Sequence, residues 1–210
     1  MKCKLFMAML MAALFSNVAI AAIDEGIEYK RVSPAQPTIT RDKVEVVELF
    51  WYGCPHCFHF EPDLNKWLAN KPDNVAFVRV PAVFNSVWAL HARAYYAAET
   101  LGLYDNGKHE FHEAFFEEIH KHKKRLDNKN ALRTFFARFG VSAEDFNNTF
   151  ESFAVNTKVS RAATLSKRYQ LDGVPTLIVN GKYRTDGPMA GGRQGMLKVL
   201  DFLIKKESKK

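Results

Sequence analysis

Segments with the character of β-strands occur only near the two ends of this chain, and that distribution constrains its fold more than any other feature. "VEVVELFWY" (Val44 to Tyr52) is rich in β-branched and aromatic residues and has the length of a buried strand. "CFHFEPDLNKWLA" follows with Phe58, Leu64, Trp67 and Leu68 at helical spacing, then "NKPDN" as a turn and "VAFVRVPAVF" as a second strand. Strand, helix and strand over about forty residues form a βαβ unit. From about Ser86 to Ser160 only helical patterns appear. "VWALHARAYYAAETLGL" is one; "HEFHEAFFEEIHKH" sets Phe111, Phe115 and Ile119 on one stripe; "NALRTFFARFG" ends at Gly140, a residue suited to the C′ position. Ser142 and Asp145 resemble a capping box, with Asp in place of Glu or Gln. A helix from about Val155 to Tyr169 leads to "TLIV", an Asn180-Gly181 turn and "KYR", which spell a β-hairpin, and a last helix covers about Gln194 to Lys205. The expected architecture is one α/β domain, residues 22–85 and 161–210, interrupted by an all-helical insertion at 86–160.

The first 21 residues stand apart. Lys2 and Lys4 precede an apolar stretch from Leu5 to about Phe15, and Ala19-Ile20-Ala21 is a small-x-small cleavage signal. This is the pattern of a secretory signal peptide cut after Ala21; the apolar stretch falls short of the roughly 20 residues that a retained spanning helix needs. Cys3 leaves with it, so the mature chain keeps Cys54 and Cys57. Cysteines in an oxidising compartment tend to be bridged, yet a bridge closing so short a loop constrains the unfolded chain little. Chemistry, not stapling, is the better reason for the pair. The formal net charge of +7 gathers in "HKHKKR" and the "KKESKK" tail. A solvated helix end and a frayed terminus account for both, and no nucleic-acid partner is expected.

Thiol-disulfide exchange needs a thiolate. Cys54 sits at the strand-to-helix junction, where unpaired N–H groups and the positive end of the helix dipole favour an anion. Pro55 suits the first helical turn, and His56 adds a donor or positive charge beside the sulfur. Cys57, one turn further in, should be more buried and keep a higher pKa. On this reading Cys54 attacks or is attacked, and Cys57 resolves the mixed disulfide. Haem attachment would need His where Phe58 stands; a zinc site would need two more ligands, available only from His59 or scattered histidines; an inert bridge is the third alternative. Glu48 lies inside the apolar strand, sharing a face with Val46, Phe50 and Tyr52, and both faces look buried. His59 is expected to face solvent; Phe58, Trp51 and Tyr52 are expected in the core.

"VVELFWYGCPHC", the helical insertion, "GVPT" and "VNGKY" together resemble the DsbA family of periplasmic thiol:disulfide oxidoreductases of Gram-negative bacteria, over about Ala22 to Lys210. The resemblance implies a thioredoxin fold with an inserted helical domain and a periplasmic role giving disulfides to newly exported, folding proteins; a monomer with no metal or cofactor is expected. A DsbB-like, quinone-linked membrane enzyme would reoxidise it. It implies that Glu48 is a buried acid relaying protons to and from Cys57, with a pKa raised by burial. It further implies that Pro175 is a cis-proline opposite the cysteines, leaving the Val174 backbone free to pair with an extended substrate. A disulfide isomerase or reductase, and a peptide-binding chaperone with incidental cysteines, are the competing functions.

Overall fold

A computed structural model describes residues 22–40, 42–104 and 110–208; the expected signal peptide, residues 1–21, and its cleavage point lie outside the described residues. The strands are β1 (Lys30–Arg31), β2 (Val44–Phe50), β3 (Val75–Pro81), β4 (Thr176–Val179) and β5 (Tyr183–Asp186), in one sheet ordered β1-β5-β4-β2-β3. Strand β2, flanked on both sides, pairs in parallel with β3 and antiparallel with β4. Every residue of β2 is buried, which is why its sequence is apolar apart from Glu45 and Glu48. Helix α1 (Pro55–Ala69) makes the βαβ crossover, and α2 (Ser86–Thr100), α3 (Glu110–His120), α4 (Lys129–Ala137), α5 (Ala143–Phe150) and α6 (Phe153–Arg168) follow β3. After the hairpin come the short α7 (Gly187–Ala190) and α8 (Arg193–Glu207).

Side chains alternate across the sheet and feed two cores. Val44, Val46, Leu177 and Val179 join Phe60 and Leu64 of α1 and Met196, Val199, Leu200 and Leu203 of α8. Val47, Leu49 and Ile178 join the other core, built with Phe111, Phe115, Phe136, Phe146 and Phe150 of the helical insertion. Cys54 and Cys57 belong to that second core, so the thiol pair stands where insertion and sheet meet. The expected α/β fold with an inserted helical layer is the one observed. α6 runs unbroken past residue 160 and carries the chain from insertion back to sheet.

Helix starts in the insertion follow local chemistry. Asn85, Asn128, Ser142 and Ser152 each cap a helix by accepting backbone N–H bonds. The Ser142 box is altered by its shorter acid: Ser142 Oγ accepts from the Asp145 N–H at 3.0 Å, while its hydroxyl donates to the Asp145 carboxylate at 2.7 Å. Several expected ends move. β2 stops at Phe50, and β3 stops at Pro81 instead of reaching Phe84, which is exposed. α4 ends at Ala137, and the chain tightens through i→i+3 bonds at Phe139 and Gly140 before Gly140 takes φ +79°. β1 and α7, two and four residues long, carry no readable periodicity and were not expected.

The hairpin turn between β4 and β5 has left-handed backbone at both Asn180 (φ 50°) and Gly181 (φ 63°). A Cβ at Gly181 would also lie 2.0 Å from the Gln36 carbonyl oxygen. Strain and collision act together, so Gly181→Ala is expected to lose about 2–3 kcal/mol in urea unfolding, whereas a loss below about 0.5 kcal/mol would mean the turn can be rebuilt.

Candidate active site

Cys54 is the N-cap of α1, with extended backbone (φ −87°, ψ 118°), and Pro55 takes the first helical position. The turn before it is tight: the Cys54 N–H donates to the Trp51 carbonyl at 2.9 Å. Gly53 is required here by close approach, because a Cβ would lie 2.3 Å from the Trp51 ring, which stacks on Trp88 at 4.3 Å. Helix α3 steadies the same turn. His120 Nε2 bonds the Tyr52 carbonyl at 2.8 Å, and its ring stacks on Phe58 at 4.9 Å.

The two thiols are free and differ sharply. Cys54 ionises at about 6, below the usual thiol range. The hydrogen bond from the Cys57 thiol contributes most; burial opposes it, backbone N–H groups of Cys57 and His56 add to it, and the charge of His56 is the last and smallest contributor. The weight placed on His56 in the sequence therefore belongs first to Cys57. His56 and Pro55 are exposed, as is His59. Cys57 is fully buried, and burial pushes its pKa well up, with the Cys54 sulfur and the charge of Glu48 acting in the same direction.

Val174 and Pro175 stand opposite, joined by a cis peptide bond. In its protonated form the Cys54 thiol donates to the Val174 carbonyl at 3.3 Å; on ionisation that donor is gone and the carbonyl can accept another. A groove of about 540 Å³ runs alongside, lined by His56, Val174, Pro175, Pro188, Met189 and Met196 among others. Its walls also include Lys30 of β1, Asp172 and Gly173 before β4, and the β5–α7–α8 segment; among the described residues none of the helical insertion lines it. Of the expected core aromatics, Tyr52 is fully buried; Trp51 and Phe58 are half-buried.

Glu48 lies beneath the thiols with no exposure. Parallel register sets it opposite Arg79 of β3, whose Nε donates to Glu48 Oε2 at 3.0 Å. The same guanidinium reaches Glu61 Oε2 at 3.0 Å and Asn65 Oδ1 at 3.3 Å, both from α1. Burial, then the charge of Glu61, raise the Glu48 pKa to about 8, with Arg79 pulling the other way. Glu48 Oε1 is buried and has no hydrogen-bond partner among the described residues. For Arg79, burial works against the charge, but the two carboxylates outweigh it and its pKa is raised. His112 of α3 completes the cluster, its Nε2 lying 3.3 Å from Glu61 Oε1. Arg79, Glu61 and His112 were not among the expected site residues. An arginine inside the apolar "VAFVRVP" is the one signal that could have found Arg79.

Among the described residues no group of three or more His, Cys, Asp or Glu could hold a metal ion. The arrangement offers one thiolate within reach of a groove, one buried thiol behind it, and a buried acid.

Comparison with known proteins places this geometry in context. A family model described as "DSBA-like thioredoxin domain" matches residues 45–203. The thiol:disulfide interchange protein DsbA of Pseudomonas syringae pv. tomato is 46% identical over 202 residues, covering 95% of this chain and 92% of that protein. Its namesake from Pseudomonas aeruginosa is 43% identical over 198 residues, covering 94% and 92%. The crystal structure of Pseudomonas aeruginosa DsbA superposes with a TM-score of 0.83 at 43% identity, covering 89% of this chain and 95% of that one. The oxidoreductase DsbA of Xylella fastidiosa gives 0.79 at 35% identity, covering 87% and 96%.

Proposed function

The chain belongs to the family of DSBA-like thioredoxin domains and is a thiol:disulfide oxidoreductase, and from that premise we propose that it donates the Cys54–Cys57 disulfide to newly exported proteins. The observation that carries this reading is the split between the thiols: Cys54 ionises at about 6 while Cys57 is held protonated by burial. A substrate thiolate attacks the Cys54 sulfur, the S–S bond breaks, and its electron pair passes to Cys57. Glu48 supplies the proton that quenches this buried anion. A second substrate thiolate then attacks the substrate sulfur of the mixed disulfide and expels Cys54 as a thiolate, a good leaving group because it is stable at neutral pH. Two electrons have entered the enzyme; a DsbB-like, quinone-linked membrane enzyme takes them back out. The Val174 carbonyl and the Pro175 loop hold the substrate as an extended strand along the groove, with Pro55 and His56 at its edge.

We place this work in the periplasm, after removal of residues 1–21, by a monomer needing no cofactor. Among the described residues no helix is long and apolar enough to cross a membrane. The sheet part is residues 22–85 and 161–210, with 86–160 as the insertion that shields Cys57 and brings His120 to the Tyr52 carbonyl.

Equilibration with a glutathione redox buffer tests the direction of transfer. An oxidase should stay mostly dithiol until the buffer is strongly oxidising, and a potential far below the glutathione range would identify a reductase instead. Cys54→Ser should remove all dithiol oxidation. Full suppression of aggregation by that variant, with no oxidase activity in the parent, would instead favour the peptide-binding chaperone.

A further inference from the structure

The buried cluster beneath the thiols extends beyond Glu48, away from the cysteines. His112, 1% exposed on α3, lies 3.3 Å from Glu61 through Nε2 and 2.9 Å from the Tyr52 hydroxyl through Nδ1. That hydroxyl is 3.1 Å from the hydroxyl of Tyr104. Tyr104 and His112, with Arg79, Tyr95, Phe77 and Glu99, line a second cleft of about 200 Å³, which the cysteines do not line.

We propose that His112 is a positioning residue whose protonation is coupled to that of Glu48, so that the helical insertion takes up one compensating proton at the second cleft when the buried acid gives its own to Cys57. The inference rests on the reading of Glu48 as that acid.

Charge counting motivates it. Glu48, Glu61 and Arg79 are all nearly inaccessible, and with both carboxylates ionised they leave one net negative charge in the interior. One added proton makes the cluster neutral, and a buried cluster strongly favours neutrality. That proton has two residences. On Glu48 it sits at Oε1, the oxygen that Arg79 does not reach. On His112 it makes an imidazolium that donates to Glu61 from Nε2 and to Tyr52 from Nδ1, while the Tyr52 hydroxyl turns to donate to Tyr104. When His112 is neutral with its hydrogen on Nε2, Nδ1 accepts from Tyr52, which accepts from Tyr104. Both placements keep the His112, Tyr52 and Tyr104 contacts, so each is accommodated by turning two hydroxyls rather than by losing a bond, and the proton enters or leaves His112 from the second cleft rather than through Arg79.

The charged and titratable groups facing His112 are Glu61 from α1, Arg79 from β3, Tyr52 from the turn after β2, Tyr95 from α2, and Tyr104 beyond α2; Glu99 stands at the cleft. Burial raises the pKa of Tyr52, Tyr95 and Tyr104, so these hydroxyls stay neutral and act only as donors and acceptors. The step balances. As Glu48 protonates the Cys57 thiolate and becomes a carboxylate, His112 takes one proton from water in the cleft. On reoxidation Cys57 returns its proton to Glu48 and His112 releases its own. No electrons pass through His112.

Nitrogen-15 histidine spectra of the full chain, recorded from about pH 5 to 9, read the His112 ring directly. Wild type should show an imidazolium-to-neutral transition. In Glu48→Gln the remaining Glu61–Arg79 pair is already neutral, so that transition should drop by at least about one pH unit, tenfold in proton affinity. In His112→Gln, which keeps a donor for Glu61 but no charge, the infrared carboxyl band of Glu48 should persist to higher pH by a similar amount. A His112 that is neutral throughout in wild type, or unmoved by Glu48→Gln, overturns the proposal; the wild-type arm decides even if a variant fails to fold. A Glu48 carboxyl band absent across the range would instead remove the underlying reading of Glu48.

Discussion

At pH 7, iodoacetamide should modify Cys54 of the reduced protein at least about 100-fold faster than Cys57. Only thiolates react at a useful rate. With ionisation at about 6, roughly nine-tenths of Cys54 is thiolate at that pH, whereas Cys57, raised well above the ordinary thiol value, is ionised at under about one per cent. Burial of Cys57 widens the gap. The Cys54 rate should halve near pH 6 and fall tenfold per unit below it. Because the Cys57 thiol is the main support of the Cys54 anion, Cys57→Ala should move that midpoint upward by more than His56→Ala does. A Cys54 that reacts only under alkaline conditions, or a larger effect from His56, would contradict the geometry.

The same ionisation links to stability with a definite sign. Cys54 has a depressed folded pKa, so its contribution is full above the unfolded thiol value near 9 and is lost as pH falls through about 6. It amounts to at most about 4 kcal/mol, and less because the sulfur reaches solvent, which screens charge. Glu48 behaves oppositely: its pKa is raised, so its contribution is full below about 4.5 and is lost as pH rises through about 8. The disulfide form keeps the second dependence and lacks the first. The urea midpoint of the reduced protein should therefore rise relative to that of the oxidised protein from pH 6 to pH 9.

What could be read from the sequence was what is local. Cys54, Pro55 and Cys57 follow one another across a strand-to-helix junction, so the helix start alone puts one thiol at the N-cap and the other a turn inward, while the full burial of Cys57 also needs the insertion. Glu48 stood out as an acid in an apolar run, and period two placed it on a buried face. Its partner did not follow, because pairing Glu48 with Arg79 depends on the register between β2 and β3, a long-range property. His112 was farther still from reach: its contacts with Glu61 and Tyr52 depend on how the insertion docks on the sheet. The groove wall was missed because α7 is too short for any periodicity to show. Val174 and Pro175 were identified through family resemblance; no rule of spacing selects them.

Arg79→Met should be the most damaging single change outside the thiols, costing about 3–5 kcal/mol at pH 8, because it strands two carboxylates that share one buried cation. Methionine fills comparable space, so the loss is electrostatic rather than a cavity. The variant can recover only by taking up protons, which raises the folded pKa values of the pair further. Its deficit should therefore shrink at pH 5, where the carboxyls protonate readily, and grow with rising pH. Removing one acid relieves the same strain: Arg79→Met combined with Glu61→Gln should regain part of the loss, giving a coupling of about 1–3 kcal/mol in a double-mutant cycle. Arg79→Lys keeps the charge but not the fork that reaches Glu48 through Nε and Glu61 through the terminal nitrogen, so it should fall between the two. Urea unfolding of the reduced proteins at both pH values measures all of these; a pH-independent loss below about 1 kcal/mol in Arg79→Met would mean that the acid pair does not depend on this guanidinium.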